Sequence, residues 1–143
     1  MWMPFSARRF CFVALVGLVG VNLFAGAAPA AEPVQCSVAT LKGTYLYREY
    51  GLLDGTPYAE SGREVYDGKG GIVLTYRGSD GSGGVLRARY TVDSDCLGSA
   101  IYPDGEKSAT FVSPDGSTFV YTVIDASGDQ STVLSGTQVR VSP

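Results

Sequence analysis

From residue 43 onward, short runs of apolar and β-favouring residues alternate with clusters of Gly, Asp, Ser and Pro. The clearest run, VLRARYTV at 85–92, puts Leu86, Ala88, Tyr90 and Val92 on one face and Arg87, Arg89 and Thr91 on the other. That period of two predicts a half-buried strand. Seven further runs read the same way: 44–50, 58–66 (weakened by Gly62), 72–77, 97–102, 108–112, 118–125 and 132–141. Turn signals separate them: DGKGG at 67–71, GSDGSGG at 78–84, PDG at 103–105 and 114–116, and ASGDQ at 126–130. In Pro-Asp-Gly each residue has a job: Pro presets φ, Asp bonds back to the backbone, and Gly takes positive φ. Helical pattern is confined to a turn near 38–41.

Eight strands joined by short turns predict an all-β antiparallel fold. Sequential hairpins favour an up-and-down order, and closure removes exposed edges, so an eight-stranded barrel is expected in preference to a sandwich. Such a barrel is just wide enough for packed side chains or one small ligand. Most runs are shorter than a membrane strand needs, and no aromatic girdle closes the chain, so a soluble barrel is expected.

The first thirty residues have a different character. Arg8 and Arg9 precede a nearly unbroken apolar run from 10 to 25, and Ala28-Pro29-Ala30 fits a signal cleavage site. Cys11 stands where a twin-arginine signal wants Phe, and no lipobox precedes it. The expected organisation is a signal peptide at 1–30, a lead at 31–42 carrying Cys36, and a barrel at 43–143. The protein is then exported, to the periplasm or the medium.

Cleavage would leave 113 residues, with nine basic against fourteen acidic ones. A net negative chain without a basic cluster argues against nucleic acid. All nine tyrosines remain, and there is no histidine. Relays of the Ser-His-Asp or Cys-His kind are therefore excluded, as are histidine zinc sites. Acid–base chemistry would fall to Asp, Glu, Tyr, Lys or Arg.

Two cysteines, Cys36 and Cys96, survive cleavage, and an even pair in an exported chain reads as a disulfide. Asp93, Asp95, Gly98 and Asp104 occupy positions one, three, six and twelve of a calcium loop. Leu97 stands where position five needs an oxygen ligand, and no helices flank the segment, so turn chemistry is the expectation. The 78–84 loop lacks the Lys-Ser/Thr ending of a phosphate loop. No cofactor and no metal are expected.

Three segments, CSVATLKGTY (36–45), YDGKGG (66–71) and YTVDSDC (90–96), resemble as a set a group of small exported bacterial proteins without an assigned reaction. The resemblance spans most of 36–141. It implies a calycin-like eight-stranded barrel similar to allene oxide cyclases, with the two cysteines paired. Allene oxide cyclases close a ring in a fatty-acid epoxide inside such a barrel; no residue of theirs is matched here.

If Leu86, Ala88, Tyr90 and Val92 face inward, so do Ile72, Leu74 and Tyr76, then Phe119, Tyr121 and Val123, and Tyr45, Tyr47 and Glu49. The interior is either filled by tyrosines bonded at the barrel ends, or partly open and suited to a small amphipathic ligand. The candidate ligand-binding set is Tyr45, Tyr47, Glu49, Tyr76, Tyr90 and Tyr121. Glu60 and Glu64 read as solvated surface, opposite Arg87 and Arg89. Three functions follow: a ligand-binding barrel, a cofactor-free isomerase or cyclase using Glu and Tyr, or a secreted interaction module with a packed interior. Outward-facing tyrosines would instead serve recognition.

Overall fold

The structure, a computed structural model, describes residues 35–124 and 131–143. The expected signal segment and the ASGDQ turn lie outside them. The described chain is a closed barrel of eight antiparallel strands, each bonded to its neighbours in sequence, with β8 returning to β1. The strands are β1 Lys42–Leu53, β2 Thr56–Asp67, β3 Gly71–Gly78, β4 Gly83–Val92, β5 Leu97–Ile101, β6 Lys107–Val112, β7 Thr118–Ile124 and β8 Val133–Ser142. A 3-10 turn at Val38–Thr40 precedes them. The expected barrel and up-and-down order are thus present. Among the described residues no helix is long and apolar enough to cross a membrane.

Two features depart from the sequence expectation. The first hairpin is longer, because Gly51, Leu52 and Leu53 pair with Tyr58, Pro57 and Thr56 before a tight turn at Asp54-Gly55. Two 12-residue strands result. The second departure matters more. Glu60 and Glu64 do not sit on the solvated face, and Glu64 is only 2 % exposed. Their strand, β2, pairs with β1 and β3 and never touches β4, so Arg87 and Arg89 are not their partners. Closure decides which face of β2 turns inward, and it is the one carrying Tyr58, Glu60, Gly62, Glu64 and Tyr66.

Asp side chains shape the turns. Asp93 Oδ1 accepts the backbone N–H groups of Asp95 (3.0 Å) and Leu97 (2.9 Å), and Asp67 Oδ1 those of Lys69 (2.7 Å) and Gly71 (2.9 Å). Asp104 and Asp115 accept from Glu106 and Ser117 in the two Pro-Asp-Gly turns. The glycines there, Gly105 and Gly116, take φ of 95° and 64° as the turn requires. The short acidic side chains are thus committed to backbone donors, which is the turn chemistry expected of Asp93.

One end of the barrel is plugged. Cys36 and Cys96 form a disulfide, which ties the lead onto the β4–β5 turn. The Tyr90 hydroxyl donates to the carbonyls of Val38 (2.7 Å) and Leu41 (2.8 Å), and the Tyr45 hydroxyl to that of Gly116 (2.6 Å). Above this plug Tyr66 stands edge-on to Tyr45, Tyr90 and Phe119, with ring centroids 5.0–5.7 Å apart. Edge-to-face geometry suits ring quadrupoles.

Candidate functional site

Among the described residues the other half of the barrel is not filled. Between the plugged end and the mouth formed by the β1–β2, β3–β4 and β5–β6 turns lies a cavity of about 260 Å³. That is just below the roughly 300–1,000 Å³ typical of ligand sites, so it suits a small molecule. Its walls combine leucines (Leu53, Leu74, Leu86, Leu134) with phenols (Tyr47, Tyr58, Tyr76, Tyr102, Tyr121) and carboxylates (Glu49, Glu60, Glu64, Glu106), with Asp80 and Asp104 among the lining residues of the turns.

The floor is built around Glu64. Its Oε1 accepts from the Tyr102 hydroxyl at 2.9 Å, and its Oε2 from Gln138 Nε2 at 2.7 Å and from the Tyr66 hydroxyl. Burial raises the Glu64 pKa, and the three donors act against that rise. Burial, then the Glu64 charge, push the Tyr66 and Tyr102 phenols well above their ordinary range, so both stay protonated donors. Gln138, 2 % exposed, spends its Nε2 on Glu64. Its Oε1 is the one buried side-chain polar atom without a partner among the described residues.

On the walls, Glu60 is gripped by two phenols: Tyr47 donates to Oε1, and Tyr58 to Oε2 at 2.6 Å. Burial and the Glu60 bond raise both phenol pKa values. Glu49, 8 % exposed, lies beside the Tyr121 hydroxyl, which acts to lower its pKa. Burial, then the charge of Glu106, lift its carboxyl to about 7. Glu106 also reaches about 7, through burial and then the charges of Asp104, Glu60 and Glu64. No phenol or amide donates to the Glu106 carboxylate among the described residues.

Glycines make room for the wall phenols. Gly62 faces Tyr47 and Tyr76 across β1 and β3. A Cβ there would lie 2.6 Å from the Tyr47 ring and 2.3 Å from the Thr75 carbonyl. Gly136 does the same beneath Tyr121, whose hydroxyl would lie 2.5 Å from an added Cβ. Gly62 looked like a weakness of the strand; in the closed barrel it is the space into which a tyrosine folds.

Of the six residues put forward from sequence, Tyr47, Glu49, Tyr76 and Tyr121 line the cavity together. Tyr45 and Tyr90 face inward but belong to the plugged half, their hydroxyls bonded to main-chain carbonyls at that end. Sequence reasoning missed Glu60, Glu64, Tyr58, Tyr102, Glu106 and Gln138. The period-two set of β2, with Tyr58 at one end and Tyr66 at the other, was the available signal for three of them. Gln138 carried none, because its neighbours Thr137 and Val139 resemble any strand.

No protein-family model matches the chain, and no curated protein does. Solved structures do. The chain is similar to a redesigned β-barrel, mFAP1, bound to DFHBI, at 21 % identity and a TM-score of 0.51, over 72 % of this chain and 97 % of that one. It is similar to EF1p2_mFAP2b bound to DFHBI at 20 % identity and the same TM-score of 0.51, over 71 % of this chain and 94 % of the other. At that identity the likeness is one of fold, a small closed β-barrel.

Proposed function

We propose that the protein is an exported barrel that binds a small ligand in the open half of its lumen. The observation that carries this reading is the division of the interior. Aromatic rings fill the plugged half, while the other half keeps a 260 Å³ cavity walled by oriented phenols, carboxylates and leucines. Small-molecule sites combine apolar walls with a few fixed polar groups in this way. The designed barrels of similar fold are bound to a small molecule, which supports the same use of the lumen. The Cys36–Cys96 disulfide is consistent with an oxidising, exported location. A secreted module with a packed interior accords less well with the cavity.

Native mass spectrometry on mature protein purified without detergent tests the reading. An added mass that disappears on denaturation is expected, and its identification names the ligand. A bare polypeptide mass, with no thermal shift across a small-fragment library, would overturn it.

One observation favours a second reading, a cofactor-free isomerase or cyclase as in the allene oxide cyclase resemblance. Glu49 faces the cavity beside the Tyr121 hydroxyl with its carboxyl near 7, which suits proton transfer at neutral pH. Glu49→Gln separates the two: loss of turnover with retained binding supports the enzyme.

A further inference from the structure

The cavity is lined by six acidic residues, and no Lys or Arg is among its lining residues. The chain has no histidine to add. Its positive charges lie elsewhere: Arg48, Arg63, Arg77, Arg87, Arg89 and Lys107 are exposed on the outer face. Arg140 donates to the Asp115 carbonyl and lies over the Tyr45 ring, at the plugged end. Among the described residues the cations thus lie away from the cavity, which six of the acidic residues line.

Internal donors account for only part of this negative charge. Glu60 and Glu64 are held by phenols and an amide. Among the described residues Glu49 has one phenol beside it and Glu106 has none, and Glu106 is the strongest charge acting on Glu49. Buried like charges are costly unless a counter-charge arrives. Among the described residues no three acidic side chains converge as metal ligands. Tyrosine faces and leucines supply what an organic cation needs, an apolar wall and ring quadrupoles.

Resting on the binding-barrel reading, we propose that the ligand is a small organic cation, a protonated amine on a compact apolar body. Its ammonium group sits at the Glu49–Glu106 side of the cavity and its body against the leucines and tyrosine rings. Because it binds the ionised carboxylates, complex formation drives protons off Glu49 and Glu106. Affinity therefore rises with pH through neutrality, as far as the amine's own deprotonation. Asp80 and Asp104 on the turns, Glu60 on β2 and Glu64 at the floor share the same field, and the phenols Tyr47, Tyr58, Tyr76, Tyr102 and Tyr121 face it.

The test is calorimetric titration with three matched probes: 2-phenylethylamine, 2-phenylethanol and phenylacetate. At pH 8 the amine is expected to bind about tenfold tighter than the alcohol, one charge-assisted contact's worth, with the carboxylate failing. That preference should shrink at pH 5.5 and in Glu49→Gln with Glu106→Gln. If the double variant does not fold, the pH series on the unaltered protein carries the test alone. Equal or tighter binding of the alcohol or the carboxylate overturns the cation proposal but leaves a binding barrel standing. Failure of the amine at millimolar concentration also overturns it, and a neutral molecule found by native mass spectrometry would then keep the broader reading. If no probe binds and the mass is bare, both fall.

Discussion

Glu64 shows how a single side chain organises half of this lumen. It takes three donors, from β2, β8 and the β5–β6 turn, and joins elements that share no ladder with one another. Removing it strands two phenols and an amide in a buried setting. Glu64→Ala is therefore expected to cost roughly 3–5 kcal/mol, read from urea denaturation. At pH 5, where Glu49 holds its proton, Glu49→Gln should fall within about 1 kcal/mol of the parent. A smaller loss for Glu64→Ala than for Glu49→Gln would mean that the floor is not where the network is anchored. At Gly62 the same logic runs through space rather than charge. An alanine Cβ meets the Thr75 carbonyl, a backbone atom that cannot swing away, and pushes the Tyr47 ring toward the cavity. Gly62→Ala should lose about 1–3 kcal/mol and narrow the site, visible as weaker probe binding.

At the scale of elements, the turns and the lead decide which end opens. The β2–β3, β4–β5 and β6–β7 turns lie at the end that the lead closes, and the Asp93 turn presents Cys96 to Cys36. Cys96 itself adopts a positive φ of 64°, held by its N–H bond to the Asp93 carbonyl. The disulfide closes a loop with a sequence separation of 60, worth about 4 kcal/mol on the loop-entropy account. Replacing both cysteines by Ala should lower stability by about that amount. It should also speed hydrogen exchange first at residues 36–41 and only later in β1 and β8. Uniform acceleration across the barrel would show instead that the plug and the sheet open together.

Across the whole molecule, the buried carboxylates set an unusual pH dependence. Glu49 and Glu106 hold folded pKa values near 7, above the ordinary carboxyl value. Their protons stay on in the folded state after the unfolded chain has released them. Stability is then lost as pH rises from about 4.5 to 7. The loss is roughly 2–3 kcal/mol for the buried Glu49, and less for the partly exposed Glu106. On the acid side Asp67, Asp80 and Asp115, lowered chiefly by hydrogen bonds in their turns, act the other way: what they contribute is lost as pH falls below the ordinary carboxyl range. The melting temperature should therefore peak near pH 4.5–5 and decline toward pH 8, the more steeply at low salt. A bound cation would flatten the decline. A maximum at pH 7 or above, without ligand, contradicts the assignment of Glu49 and Glu106.

Strand and turn positions were written locally. Period-two alternation in β4, the Asp and Gly of each turn, and the even pair of cysteines act over a few residues or through plain chemistry, so they survive without a partner in view. Closure into a barrel followed from strand number and the absence of crossover segments. What the sequence by itself left open was the inward face of β2, because Tyr58-x-Glu60-x-Gly62-x-Glu64-x-Tyr66 is no more apolar than Ala59-x-Ser61-x-Arg63-x-Val65. Only the register against β1 and β3, with Tyr47 folding over Gly62, turned the carboxylates inside. The division of the lumen was likewise a tertiary decision. Tyr45 and Tyr47 are alike in sequence and share a face, yet one reaches a carbonyl in the plug and the other a carboxylate in the cavity. A hydroxyl's role depends on the acceptor that the closed sheet brings to it, and no local pattern encodes that acceptor.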